Sequence, residues 1–252
     1  MSYIYADTSD GIITKAAASY TSARHATSGS VVGLTGGSNR GVWEAKSTSG
    51  RASLTRTFTR SYFWFDTSGV TNCSTVSLEL VGFSSTIDSG ESIVVMKSDA
   101  FGGDGTSALA GTDFDNIVGW DGSSDMSGAT KYSAAPTLNL ASGWSTSSYN
   151  SIPLGSGAEN DINNNNYIII CCVSYKYDYL KADPVDTSGL STAALANNLG
   201  CYHSPSSGDG RRPRLNITHA PDWGKVNSTT YANIKLINTT SKSNIEKIIN
   251  VD

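Results

Sequence analysis

Charge is scarce in this chain: 16% of its 252 residues are Asp, Glu, Lys or Arg, and they balance to a net −4 with a pI near 5.3. That balance leaves no basic footprint for a phosphate backbone and no polybasic patch for an anionic bilayer, so neither nucleic acid nor membrane is an expected partner. Histidine is scarcer still. His25, His203 and His219 fit no HExxH frame, no GxSxG elbow occurs, and GGDG at Gly102–Gly105 lacks the Lys-Ser/Thr ending of a phosphate loop. These absences argue against an enzyme. The four cysteines, Cys73, Cys171, Cys172 and Cys201, show no CxxC spacing, and the adjacent pair points to opposite faces of a strand. Buried free thiols are expected. Long apolar runs are missing as well: the longest, around Tyr167 to Val173, is far too short to span a bilayer. The opening MSYIYADTSDGIITK has neither the basic nor the apolar region of a secretory signal, which leads to the expectation of a protein folded in a cytoplasm.

Present in their place are Ser and Thr, about a quarter of the chain, and 25 glycines. This composition favours short strands joined by polar turns. RASLTRTFTRSYFWFDT and TVSLELVGF carry the period-two alternation of strands, ESIVVMKSD reads as the next strand, and YIIICCVSYKYDYL opens with a continuous apolar run that predicts burial on both faces. PTLNLASGW reads as a further strand, and ALANNLGCYHS and RPRLNITHA as a closing pair around the turn PSSGDGRR. With about eight strands and no sustained helix, the economical fold is all-β: an antiparallel two-sheet β-sandwich of jelly-roll type, with a single up-and-down barrel as the alternative. Three regions follow: residues 1–50 as an extended N-terminal arm or first strands, 51–220 as the sandwich, and 221–252 as a short helical or extended tail. Within the first, AAASYTSARHATSG is open between a short helix and an irregular arm.

Between the strands lies a long Gly- and Asp-rich stretch, FGGDGTSALAGTDFDNIVGWDGSSDMSGATKYS, of the kind that forms a functional surface or packs as an Ω-like excursion. Its Asp113, Asp115, Asp121 and Asp125 offer hard oxygen ligands such as Ca²⁺ takes, but not at EF-hand spacing. Carboxylates capping turn amides are the more ordinary reading, so no metal or cofactor is expected. The remaining candidates are aromatic. Trp43, Trp120, Trp144 and Trp223 stand beside Gly, Ser or other turn residues, and Trp120 and Trp144 are taken forward as glycan or protein contacts, against the ordinary reading of rings that cap a sandwich. Tyr175, Tyr177 and Tyr179, on one face of an extended YKYDY, are candidates for the same role or for a contact between sheets.

RSYFWFDTSGVTNCSTVSLELVGF, TDFDNIVGW, YNSIPLGSGAENDINNNNYIIICCVSYKYDYL and RRPRLNITHA, in that order, resemble a β-sandwich family related to carbohydrate-binding modules, found in secreted bacterial proteins and in virion proteins of tailed bacteriophages, notably marine ones. The C-terminal VNSTTYANIKLI and INTTSKSNIEKI resemble tandem "INGVxxANIxKI" units of tailed-phage structural proteins, with Ser or Thr where Gly is usual. The resemblance implies a virion protein assembled in the host cytoplasm, homo-oligomeric and bound to other virion proteins, with a host surface glycan as an alternative ligand and no catalytic residues. In the repeat, Val226, Ile234, Ile237, Ile245 and Ile248 recur at spacings of eight and three, which keeps them near one helix face, and two short helices are an equal alternative. So short an apolar stripe buries too little to offset its own ordering, so these five residues are the expected assembly interface.

Overall fold

The computed structural model describes residues 1–32, 41–49, 54–87, 90–133, 143–184, 195–204 and 210–220. Eleven strands run through them: β1 (Ser2–Tyr5), β2 (Gly11–Ala17), β3 (Ser30–Val32), β4 (Gly41–Ser49), β5 (Leu54–Asp66), β6 (Cys73–Thr86), β7 (Ile93–Lys97), β8 (Tyr149–Leu154), β9 (Tyr167–Ser174), β10 (Leu195–Cys201) and β11 (Arg214–His219). All pairings are antiparallel and build an all-β two-sheet sandwich. The first sheet runs β1-β11-β6-β8. The second holds β3-β2-β5, and β5 is followed along its other edge by β4, which leads to β10, and by β9, which leads to β7. Strand β6 belongs to both, because its end beyond Val81 pairs with β10.

Alternation places the cores. In the first sheet Ile4, Leu215, Ile217, Val76, Leu78, Leu80, Ile152 and Leu154 face inward. They meet Phe63, Phe65, Ile93, Val95, Ile168, Ile170 and Cys172 of the second sheet. Each fully buried Leu, Ile or Phe here contributes about 1.5–3 kcal/mol of transfer free energy. The opposite face of the second sheet is buried too: Phe58, Tyr62, Val94, Met96, Ile169, Cys171 and Val173 pack with Phe101, Phe114, Ile117 and Met126 of the long connection. That second core is why YIIICCV lacks alternation, and it sends Cys171 and Cys172 into different cores. All four cysteines are free and buried.

Several expectations change. Of the alternatives for the first fifty residues, the described ones form first strands, four of them paired, and the short helix α1 (Tyr20–Arg24) in place of an extended arm. The β10 and β11 strands do not pair with each other; each lies against β6, because β6 is long enough to serve two sheets. SGAENDINN, unforeseen as a helix, forms α2 (Ser156–Asn164), whose Ala158 and Ile162 close one side of the inter-sheet core. The strand expected at PTLNLASGW falls for the most part, over residues 136–142, and the tail over 221–252, outside the described residues.

The connection between β7 and β8 folds as a layer by special backbone. Phe101, Gly102, Gly103 and Gly105 all have positive φ, and the Trp64 indole occupies the space where a Cβ on Gly105 would sit. A Gly105→Ala variant should therefore lose about 2 kcal/mol or more, combining left-handed strain with displacement of Trp64, measurable as a lower urea midpoint. An unchanged midpoint would mean that this loop relaxes freely.

Candidate functional site

Turn capping decides what the loop carboxylates can do. Asp113 Oδ2 accepts the amides of Phe101 and Ala110. Asp121 Oδ1 accepts those of Ser123 and Ser124, and Asp125 Oδ1 that of Ser127. These hydrogen bonds hold the Asp121 carboxyl well below the usual carboxylate range. The carboxylates thus fold the loop. Among the described residues no group of three or more His, Cys, Asp or Glu is placed to hold a metal ion.

The aromatic candidates separate into different environments. Trp144 is 7% exposed, and its Nε1 donates to the Gly200 carbonyl at 2.8 Å while its ring fills the space left by Gly82. It is therefore a core residue and not an exposed contact. YKYDY is not a strand. It turns as one π-helical segment, Tyr175–Tyr179, because β9 has run out of β7 partner at Ser174, whose Oγ accepts the Tyr177 amide. Buried Glu91 accepts the Lys176 amide and the Ser174 hydroxyl; burial pushes its carboxyl up, partly offset by those hydrogen bonds. Tyr177 is consequently buried, while Tyr175 and Tyr179 stack on each other at 5.9 Å and stay half-buried.

Beneath this turn lies a cluster that the sequence did not announce. Arg60 projects from β5 into the second core with no exposure and grips Asp178 through Nε at 2.7 Å and Nη2 at 2.8 Å. Its Nη1 donates to the Phe114 carbonyl and its Nη2 also to the Arg24 carbonyl. Arg24, equally buried, donates to the Asp178 carbonyl through Nε and Nη2 and to the Ser124 carbonyl through Nη1. Both guanidinium groups lie against the Trp120 ring, at 5.1 and 4.8 Å. Trp120, Tyr175 and Tyr179 are thus brought to one side of the molecule, around a clamp that ties α1, the long connection and the π turn to β5. Burial alone would favour loss of the Arg60 proton, but the Asp178 carboxylate holds Arg60 above its ordinary value. With its donors spent on carbonyls and a carboxylate, the clamp is built for cohesion. The three histidines lie apart in the fold: His25 accepts from Arg24, His203 stacks on Phe63, and His219 bonds Ser2 and the Thr71 carbonyl.

The surface best arranged for recognition is the outer face of the first sheet. The alternation that sends Ile4, Leu215 and Leu78 inward sends Tyr3, Tyr5, Arg214, Asn216, Glu79 and Tyr149 outward. The Arg214 guanidinium lies 3.8 Å from the centroids of both Tyr3 and Tyr149, and its Nε meets Glu79 at 2.7 Å. Glu79 also accepts from the Asn216 amide. Arg212 lies over Tyr5, and Arg211 over Tyr202, to whose hydroxyl it donates. Tyr3 and Tyr5 remain 44% and 40% exposed. Sequence reasoning passed over these residues because β1 is only four residues long; RRPR was the available signal, three guanidinium groups within four positions of a strand start. Neither a scan against protein-family models nor a search of curated proteins finds a match to this chain.

Proposed function

We propose that the protein is a non-enzymatic structural component of a bacteriophage particle, a head-decoration or cement protein or part of a tail appendage, that binds other virion subunits and further copies of itself. The observation that carries this reading is the C-terminal repeat, whose Val226, Ile234, Ile237, Ile245 and Ile248 form an apolar series. The sandwich unit, Met1–His219, holds two hydrophobic cores of its own. Replacing Ile234 and Ile245 together by Asp in the full chain should leave the unfolding midpoint within experimental error. Incorporation into particles or homo-oligomers should fall at least about ten-fold, as expected for two apolar anchors lost from one interface. Normal incorporation of the doubly substituted chain sinks the reading.

A second reading, a glycan-binding module for host attachment, is favoured by the exposed tyrosines of the first sheet. The two readings are compatible in one chain, since they use different residues.

A further inference from the structure

The outer face of the first sheet combines three properties that limit what can bind it. Its side chains are held in place: Arg214 between two rings and Glu79, Arg212 by the Ala6 carbonyl and the Tyr5 ring. Groups fixed before binding lose little rotamer freedom on binding, which favours a ligand made of hydroxyls that must be matched one by one. The face is also small. Four strands about 4.8 Å apart, each contributing about five residues at about 3.3 Å rise, span about 15 by 15 Å, or about 200–300 Å². A standard protein interface takes about 800 Å² from each partner, so this footprint suits an oligosaccharide of a few units better than a protein. The third property is charge. Arg214 pairs with Glu79, and Arg212 and Arg211 lie over the Tyr5 and Tyr202 rings, so three guanidinium groups fall within four positions on a chain whose net charge is −4.

We infer that the outer face of β1, β11, β6 and β8 binds an acidic oligosaccharide, one carrying uronate or sulfate groups. Its sugar rings lie against Tyr3 and Tyr5, and its anionic groups meet Arg211 and Arg212. Glu79, itself only 7% exposed, is the orienting partner of Arg214. This inference rests on the glycan-binding reading and goes beyond it in naming the face and the ligand class.

The test is an array of paired neutral and acidic oligosaccharides probed with the full chain and with three variants whose thermal midpoints are checked: Tyr3→Ala/Tyr5→Ala, Arg211→Gln/Arg212→Gln and Trp120→Ala. The full chain should retain acidic members over their neutral counterparts, with binding that weakens as salt rises. Loss of the two rings should weaken binding about ten-fold, loss of the two charges should erase the acidic preference, and Trp120→Ala should change neither. Equal binding of neutral members, or acidic binding unaffected by the face variants, overturns the inference while leaving the glycan reading intact. No retained member at all removes both. Capture of an acidic peptide, with no glycan bound, replaces the ligand class and overturns it equally.

Discussion

Replacing Arg60 by Met should destabilise the protein by about 3–5 kcal/mol, the cost typical of removing one member of a buried ion pair. The Asp178 side chain is 2% exposed and would keep, among the described residues, the weaker Arg24 contact at 3.3 Å, while the Phe114 carbonyl would lose the Arg60 donor and keep Tyr62 Oη. Methionine fills much of the space, so the loss reflects an uncompensated charge more than a cavity. The clamp holds the connection between β7 and β8 to the second sheet, so the variant should also be cut by protease within residues 98–130 under conditions where the parent resists. Asp178→Asn introduced alongside should recover part of the loss, because the stranded charge is then gone. A urea midpoint corresponding to less than about 1 kcal/mol of change would show that the cluster is dispensable to the fold.

The second large effect concerns pH. Asp10, in the connection between β1 and β2, is 4% exposed, and burial pushes its carboxyl up to about 7, against the lowering effects of the Ser204 amide and the Arg212 charge. His203, fully buried beside it, places Nδ1 3.9 Å from Asp10 Oδ1, and the Asp7 charge also raises the group. The folded protein therefore holds this proton more tightly than the unfolded chain does. The associated stability is fully present below pH 4, declines as pH rises from about 4 to about 7, and is absent above that. At 1.36 kcal/mol per unit, the difference is on the order of 4 kcal/mol. Asp10→Asn keeps an acceptor for the Ser204 amide without a titrating charge. It should flatten the stability profile between pH 4 and 7 and make the variant more stable than the parent at pH 8. A variant less stable at pH 8 with the slope unchanged would show that ionised Asp10 is instead stabilised by its neighbours.

Local pattern was informative where one side chain's surroundings depend on its own strand. Alternation located β5 and β6, the unbroken apolar run of β9 announced burial on both faces, and the Asp-Gly punctuation of residues 101–133 announced capped turns. The same logic misled at YKYDY. Its period of two matches a strand, but Asp178 is drawn inward to Arg60, 118 positions earlier, and a π turn is the backbone that delivers it.

What the sequence by itself determined is the all-β class, most strand positions, the opposite facing of Cys171 and Cys172, and the polar character of the turns. Only the tertiary structure decided which strands are neighbours. Ser2 pairs with Ile217 and Tyr5 with Arg214, which sets the exposed tyrosines of the first strand beside the arginine that begins the last. It likewise decided that β6 serves both sheets and that the long connection roofs the second core over Arg60. The reason is physical: periodicity records how deeply a residue is buried, whereas pairing and register are settled by contacts between segments far apart in the chain, which no local window contains.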